Sequence, residues 1–236
     1  MDDIKRVSTG LKTLDDVLEG GLIKGDFYII TGGPGLGKTT LAMHYAIAGV
    51  EEGERTLYIS LDEEPIKMAR NMARVGFNLL KAKESGKFLF FKTDPYKIKS
   101  VLEKGNMIIS DRVENFKPER IVFDSLTDFA VQFESESKIR SQIERLLYIT
   151  HSWGEGDEKP TVLFTVDQTE DYSTQVEEFL VDGVIKLRRI QTGKEVNKTL
   201  QITKMRGTNF KPTLMLYNIK PGQGFNLQPN APIMGL

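Results

Sequence analysis

Apolar positions along this 236-residue chain change period several times, and each change marks an element. Phe27 to Thr31 is an unbroken apolar, aromatic or β-branched run, as in a parallel strand buried on both faces. Thr56 to Leu61, Phe88 to Phe91, Arg120 to Phe123 and Thr161 to Val166 repeat that pattern. Between these runs the apolar residues recur at helical spacing. Leu11, Leu14, Val17 and Leu18 form one such set, with Thr13 the expected cap. Leu41, Ala42, Tyr45, Ala46 and Ala48 form a second, and Met68, Met72 and Val75, opened by Pro65, a third. Ile139, Ile143, Leu146, Leu147 and Ile149 form a fourth, while Pro95 to Lys117 is helical only in places. The last third changes character. Gly183 to Ile190, Lys198 to Met205, Thr213 to Asn218 and a stretch near Phe225 read as strands joined by tight turns. The pattern predicts an α/β fold with a mostly parallel central sheet flanked by helices, extended at its C-terminal side by antiparallel strands. No repeat, low-complexity tract or linker divides the chain, so one domain is expected over residues 1–236.

Charge and composition remove several function classes. Lys and Arg number 32 against 33 Asp and Glu, so no global basic field favours DNA or an anionic membrane. With no cysteine there is no disulfide or thiol chemistry, which fits a reducing cytoplasm. No apolar run approaches membrane-spanning length, and the acidic N-terminus lacks a signal-peptide pattern. His44 and His151 lie far apart and form no metal motif; His44 is expected to pack or to face solvent.

The strongest chemical signal follows the first buried strand. Gly32-Gly33-Pro34-Gly35-Leu36-Gly37-Lys38-Thr39 is G-x-x-x-x-G-K-T between a predicted strand and a predicted helix, the context of a phosphate-binding loop. Its glycines let successive backbone N–H groups face phosphate oxygens, and the helix N-terminus adds attraction. Lys38 is placed to reach the outer phosphates of ATP, and the Thr39 hydroxyl to bind Mg²⁺. Ile121-Val122-Phe123-Asp124 is a buried strand delivering a carboxylate, so Asp124 is a second candidate for the Mg²⁺ shell. Asp62-Glu63-Glu64 precedes Pro65 at the end of a strand expected beside the phosphate-loop strand. These carboxylates either cap the following helix or activate the attacking water. Asp167 and Gln168, at another strand end, either sense the γ-phosphate or begin a loop.

Taken together, these residues resemble a single-domain KaiC-like ATPase of the RecA superfamily. The resemblance begins at Ser8-Thr9-Gly10, Leu14-Asp15 and Leu18-Glu19-Gly20-Gly21-Leu22 and continues through Gly32 to Thr40. It includes Tyr58-Ile59-Ser60-Leu61-Asp62-Glu63, Val122 to Ser125, Val181-Asp182-Gly183-Val184-Ile185 and Lys204-Met205-Arg206-Gly207-Thr208. It implies a RecA-like core and Mg²⁺-dependent ATP hydrolysis, with Thr40 joining residues 32–39 as nucleotide-binding. Asp62 and Glu63 align with the acidic pair that acts on the water, and Glu63 is favoured because Asp stands where Glu is usual at the first position. Lys204 and Arg206 resemble cations that reach the γ-phosphate held by the neighbouring subunit of a homo-oligomeric ring, with six subunits favoured. A regulatory or signalling role toward a client protein follows from the same likeness. KaiC carries two such domains and phosphorylates itself in the second; a single one implies neither clock function nor self-phosphorylation. Asn209 and Phe210 also depart from the histidine that often follows the last motif.

Two other functions compete: a recombinase-paralogue-like DNA-repair accessory, and a platform that binds ATP with little hydrolysis. The loops that face DNA in RecA-type folds here hold Val131 to Lys138 and Asp167 to Tyr172 running on to Glu178, and both are acidic. Phosphate contacts need Lys or Arg, so the sign argues against nucleic acid at these loops. No helix-hairpin-helix pattern precedes the core.

Overall fold

The computed structural model describes residues 4–104, 111, 113, 115–155, 158–168, 174–192, 195–229 and 231. At the entry, β1 (Arg6–Val7) pairs antiparallel with β2 (Leu22–Ile23), and α1 (Lys12–Val17) lies between them. Thr13 does not cap α1; it lies inside the helix, whose flanking residue is Leu11. The carboxylate of Asp15 organises this turn instead. It accepts from the Ser8 and Thr9 hydroxyls at 2.6 Å each and from the Thr9 N–H at 2.8 Å. A charged acceptor reached by three donors holds the turn more firmly than one hydroxyl could.

The body is a sheet of nine strands among the described residues. In chain order these are β3 (Phe27–Gly32), β4 (Thr56–Ser60), β5 (Phe88–Lys92), β6 (Arg120–Asp124) and β7 (Thr161–Asp167). β8 (Gly183–Thr192), β9 (Glu195–Met205), β10 (Leu214–Lys220) and β11 (Gly224–Gln228) complete it. In space they run β11-β10-β9-β8-β3-β7-β6-β4-β5. From β8 to β5 neighbouring strands are parallel. β9, β10 and β11 join beyond β8 in antiparallel pairing. The α/β class and the antiparallel extension are as expected.

One expectation fails. β4, whose end carries the acidic run, does not lie beside β3; β7 and β6 stand between them. β3, β4, β6 and β7 are all buried nearly throughout, so burial does not rank them. The order is set by long-range register, β7 pairing with both β3 and β6, and β6 with β4. β5, buried fully only at Phe88, can take the sheet's outer edge.

Helices cover both faces: α2 (Lys38–Glu51), α3 (Pro65–Arg74), α4 (Leu79–Glu84), α5 (Pro95–Lys104), α6 (Leu126–Ala130), α7 (Glu136–Ser152) and α8 (Gln175–Leu180). Strand alternation divides the core accordingly. Tyr28, Ile30, Tyr58 and Val122 pack with Leu41, Ala42 and Tyr45 of α2 on one face. Ile29, Ile59, Phe123 and Phe164 pack with Phe129, Ile143 and Leu146 of α6 and α7 on the other.

Candidate functional site

Parallel pairing aligns the strand ends that matter. Gly32 lies opposite Asp167, and Ser60 lies opposite Asp124, all at the C-terminal edge of the sheet. In open α/β sheets ligands bind at this edge. Here it opens into a cleft of about 400 Å³ whose lining includes Lys38, Thr39, Asp62, Glu63, Asp124 and Asp167.

The phosphate loop leaves β3 at Gly32 and enters α2 at Lys38. Gly37, at φ 95°, adopts the left-handed conformation, and a Cβ there would come within 2.3 Å of Ile219 Cδ1. The left-handed backbone is what favours glycine there, the Ile219 methyl being the movable end of a side chain. Tyr217 of β10 fixes the loop from beneath, its hydroxyl donating to the Leu36 carbonyl at 2.6 Å. Lys38, nearly buried, donates to the carbonyls of Gly32 at 2.9 Å and Gly33 at 3.2 Å. Its Nζ also pairs with Asp167 Oδ1 at 2.6 Å. Any anion binding here would have to compete with these acceptors for the ammonium group.

Asp124 ends β6 among hydroxyls. Tyr58 donates to its Oδ2 at 2.7 Å, and Thr165 donates to its Oδ1. Burial pushes its carboxyl pKa upward, opposed by hydrogen bonds from Thr165, Tyr58 and Thr39. Thr39 and Asp124 are thus adjacent, and both offer the hard oxygen ligands that Mg²⁺ prefers. Among the described residues no cluster of three His, Asp or Glu is arranged to hold a metal alone. Phosphate and water oxygens would complete such a shell, as is usual for Mg²⁺ with nucleotides.

The acidic run divides. Glu63 is partly buried, its N–H donating to Ser60 Oγ at 3.0 Å and its Oε1 accepting from Asn71 Nδ2 at 2.7 Å. Lys67 Nζ approaches the same oxygen at 3.4 Å. Asp62 is exposed on the cleft wall, and Glu64 is exposed at the start of α3, with Pro65 the first helical residue.

Lys204 and Arg206 are elsewhere. β9 runs antiparallel, so its end at Lys204 and Met205 lies opposite Val184 and Gly183, the beginning of β8. That is the N-terminal edge of the parallel block, and β3 separates it from the phosphate loop by six residues, or about 20 Å. Lys204 Nζ donates to the carbonyls of Glu178 at 2.9 Å, Phe179 at 3.1 Å and Val181 around the C-terminus of α8. Burial, then the charge of Arg206, lowers its pKa. Arg206 meets Asp182 at 3.1 Å and stays 61% exposed.

Several neighbours of the cleft escape a reading of the sequence. Asn71 and Lys67, four residues apart, share the face of α3 that reaches Glu63; helical spacing from Pro65 is the signal that finds them. Arg189 and Lys198 pair across β8 and β9 and reach the carbonyls of Pro34 and Gly35 at 3.3 Å each. No local pattern marks Tyr58, Thr165 or Tyr217. His44 packs as expected: its Nε2 accepts the Phe225 N–H at 2.8 Å, and burial lowers its pKa to about 4. Phe133 packs against Phe129 with Lys99 over its ring, while residues 169–173 of the second acidic loop lie outside the described residues. Among the described residues no helix is long and apolar enough to cross a membrane.

Comparison with known proteins returns one consistent likeness. The family model described as "ATPase: KaiC" matches residues 7–231. A "UPF0273 protein" of Thermotoga maritima is 30% identical over 222 residues, which cover 87% of this chain and 89% of that one. The circadian clock oscillator protein KaiC of Parasynechococcus marenigrum is 28% identical over 220 residues, 87% of this chain but 41% of that protein. The chain thus spans less than half the length of the KaiC proteins it matches. The crystal structure of a KaiC-like protein from Pyrococcus horikoshii OT3 superposes with a TM-score of 0.80 at 29% identity, covering 96% of this chain and 100% of the other.

Proposed function

This chain belongs to the KaiC ATPase family, and from that premise we propose that residues 1–236 act as one Mg²⁺-dependent ATPase domain, converting ATP and water to ADP and phosphate. Its site is completed by a neighbouring subunit in a homo-oligomeric ring, six-membered by preference. The observation that carries this reading is the separation just described. Lys38, Thr39, Asp124 and Glu63 line one cleft, whereas Lys204 and Arg206 occupy the opposite edge of the same sheet.

The backbone from Gly33 to Thr39 and the Lys38 ammonium hold the β- and γ-phosphates, with Lys38 leaving Asp167 to do so. Thr39 and Asp124 would hold Mg²⁺, which would supply neutralising positive charge when bound. Glu63, oriented by Asn71, accepts the proton of the attacking water, with Asp62 beside it on the cleft wall. Lys204 and Arg206 of the adjacent subunit stabilise charge on the transferred phosphoryl group. A regulatory or signalling role toward a client protein accompanies this chemistry, in a cytoplasm that suits a chain without cysteine.

One observation favours a second reading, an ATP-binding platform with little turnover. Within one chain no part of Lys204 or Arg206 lines the cleft, so an isolated subunit lacks half the proposed machinery.

Mixing separates the two. Arg206→Ala and Glu63→Gln proteins should each be nearly inactive, arginine fingers being worth on the order of 10³–10⁵ in rate. After subunit exchange, roughly a quarter of interfaces carry both intact residues, because the two defects fall on opposite sides of each contact. Steady-state hydrolysis should recover to about that fraction of the parent's. No recovery with exchange confirmed rejects the shared site, and an inactive parent in every assembly state favours the platform.

A further inference from the structure

Asp182, immediately before β8, binds two other chain segments at once. Its N–H donates to the Phe27 carbonyl at 2.8 Å, and its carbonyl accepts the Arg206 N–H at 3.0 Å. One carboxylate oxygen accepts the Phe27 N–H at 3.1 Å while the other meets Arg206 Nη1 at 3.1 Å. Phe27 is the first residue of β3, and the last residue of β3 opens the phosphate loop. A single carboxylate therefore grips an outward-facing guanidinium and the strand that carries the chain's own phosphate loop.

Exposed ion pairs contribute little to stability, so this one calls for another account. The pair is unequal: the Asp182 side chain is 22% exposed and that of Arg206 61%. The anchor is fixed from within, and the exposed guanidinium fork keeps donors beyond the Nη1 that meets Asp182. Asp26 places a second carboxyl near the same guanidinium. Burial and the charge of Asp182 push the Asp26 pKa up to about 6, while Tyr28 and Arg206 draw it down. The seat beneath Arg206 is thus acidic and partly desolvated.

We propose that Asp182 is the positioning residue of the shared site: it presents Arg206 to the next subunit and ties that guanidinium to the phosphate-loop strand of its own. The inference rests on the trans reading of Arg206. A guanidinium already aligned by a fixed carboxylate need not be ordered when the phosphoryl group arrives, which lowers the barrier without tightening ground-state binding. The link to Phe27 further implies that engagement of Arg206 is felt at the start of β3, so that adjacent sites are mechanically joined.

Asp182→Asn in the full chain tests this, since the amide oxygen still accepts the Phe27 N–H but the charge that aligns Arg206 is gone. We expect kcat to fall on the order of tenfold to a hundredfold, with KM for ATP and the melting temperature unchanged, and Asp182→Glu to recover part of the loss. In an Arg206→Ala background the same substitution should cost nothing more, a result a merely structural role would not give. Asp182→Ser is the second neutral variant should the asparagine protein fail to fold. Parental kcat in Asp182→Asn beside an inactive Arg206→Ala protein overturns the positioning role and leaves the shared site standing. A further loss in the Arg206→Ala background overturns it as well. Parental kcat in Arg206→Ala overturns the trans reading itself.

Discussion

The two edges of the parallel sheet both hold charged groups and treat them in opposite ways. At the C-terminal edge the cation Lys38 is only 9% exposed and is closed inward on Asp167 and two loop carbonyls. At the N-terminal edge the cation Arg206 is 61% exposed and is held from behind by Asp182. A buried cation enclosed by acceptors suits a ligand that enters the cleft; an exposed one on a fixed anchor suits a target outside the molecule. Under the shared-site proposal, these are two halves of a site that one chain carries facing away from each other.

Apart from Arg206→Ala, changes at the C-terminal edge should give the largest effects. Glu63→Gln keeps shape and removes the carboxylate, so turnover should fall by about 10²–10⁴, the usual worth of a general base, with ATP binding retained. Asp62→Asn should cost far less, because Asp62 lacks the Asn71 contact that orients Glu63. Single-turnover rates of both variants decide it, and the reverse order would move the base by one residue. Lys38→Ala should weaken ATP binding by about 10- to 100-fold in calorimetry, since charge-assisted bonds to phosphate oxygens are lost. Equal affinities in mutant and parent would sink the phosphate-loop reading.

The opposite edge offers a smaller, pH-dependent test. Asp26 has its pKa raised from 3.8 to about 6, so the folded state holds that proton more tightly than the unfolded chain. Its contribution to stability is full below about pH 4 and is lost as pH rises through 6. At pH 8 the ionised carboxyl costs stability, and Asp26→Asn should raise the melting temperature there and not at pH 4. After discounting for partial exposure the gain is about 1 kcal/mol, or about 2–4 °C for a chain of this size. A fall at pH 8, measured by calorimetry, would show that Asp26 matters more to Arg206 than its burial costs.

How much of this was legible depended on sequence distance. The phosphate loop was, because its chemistry is contiguous from Gly32 to Thr39 and the flanking periods switch from strand to helix within a few residues. The buried strands were, because a run apolar on both faces has few other readings. Strand order was not: residues such as Thr56 and Arg120 pair in register across 64 positions, and no local pattern names the partner. Glu63 was singled out from its acidic neighbours only by family likeness, whereas Asn71 reaches that carboxylate through a helix turn a linear reading passes over. Lys204 and Arg206 read as an ordinary solvated strand end, and only the course of β9 puts them at the far edge of the sheet.

The Tyr217 hydroxyl that holds the Leu36 carbonyl bridges 181 residues of chain. Ile219 beneath Gly37 and the Phe225 amide on His44 of α2 reach back as far. Contacts of such separation close large loops, and loop closure makes them slow to form. During synthesis the glycine turn and its lysine emerge early, but the floor beneath them arrives only with β10 and β11. On the proposed ATP-binding function, nucleotide affinity would therefore report on the completeness of folding as well as on the loop itself. A chain halted after β9 would carry every residue of the motif and still lack the surface that gives the motif its shape.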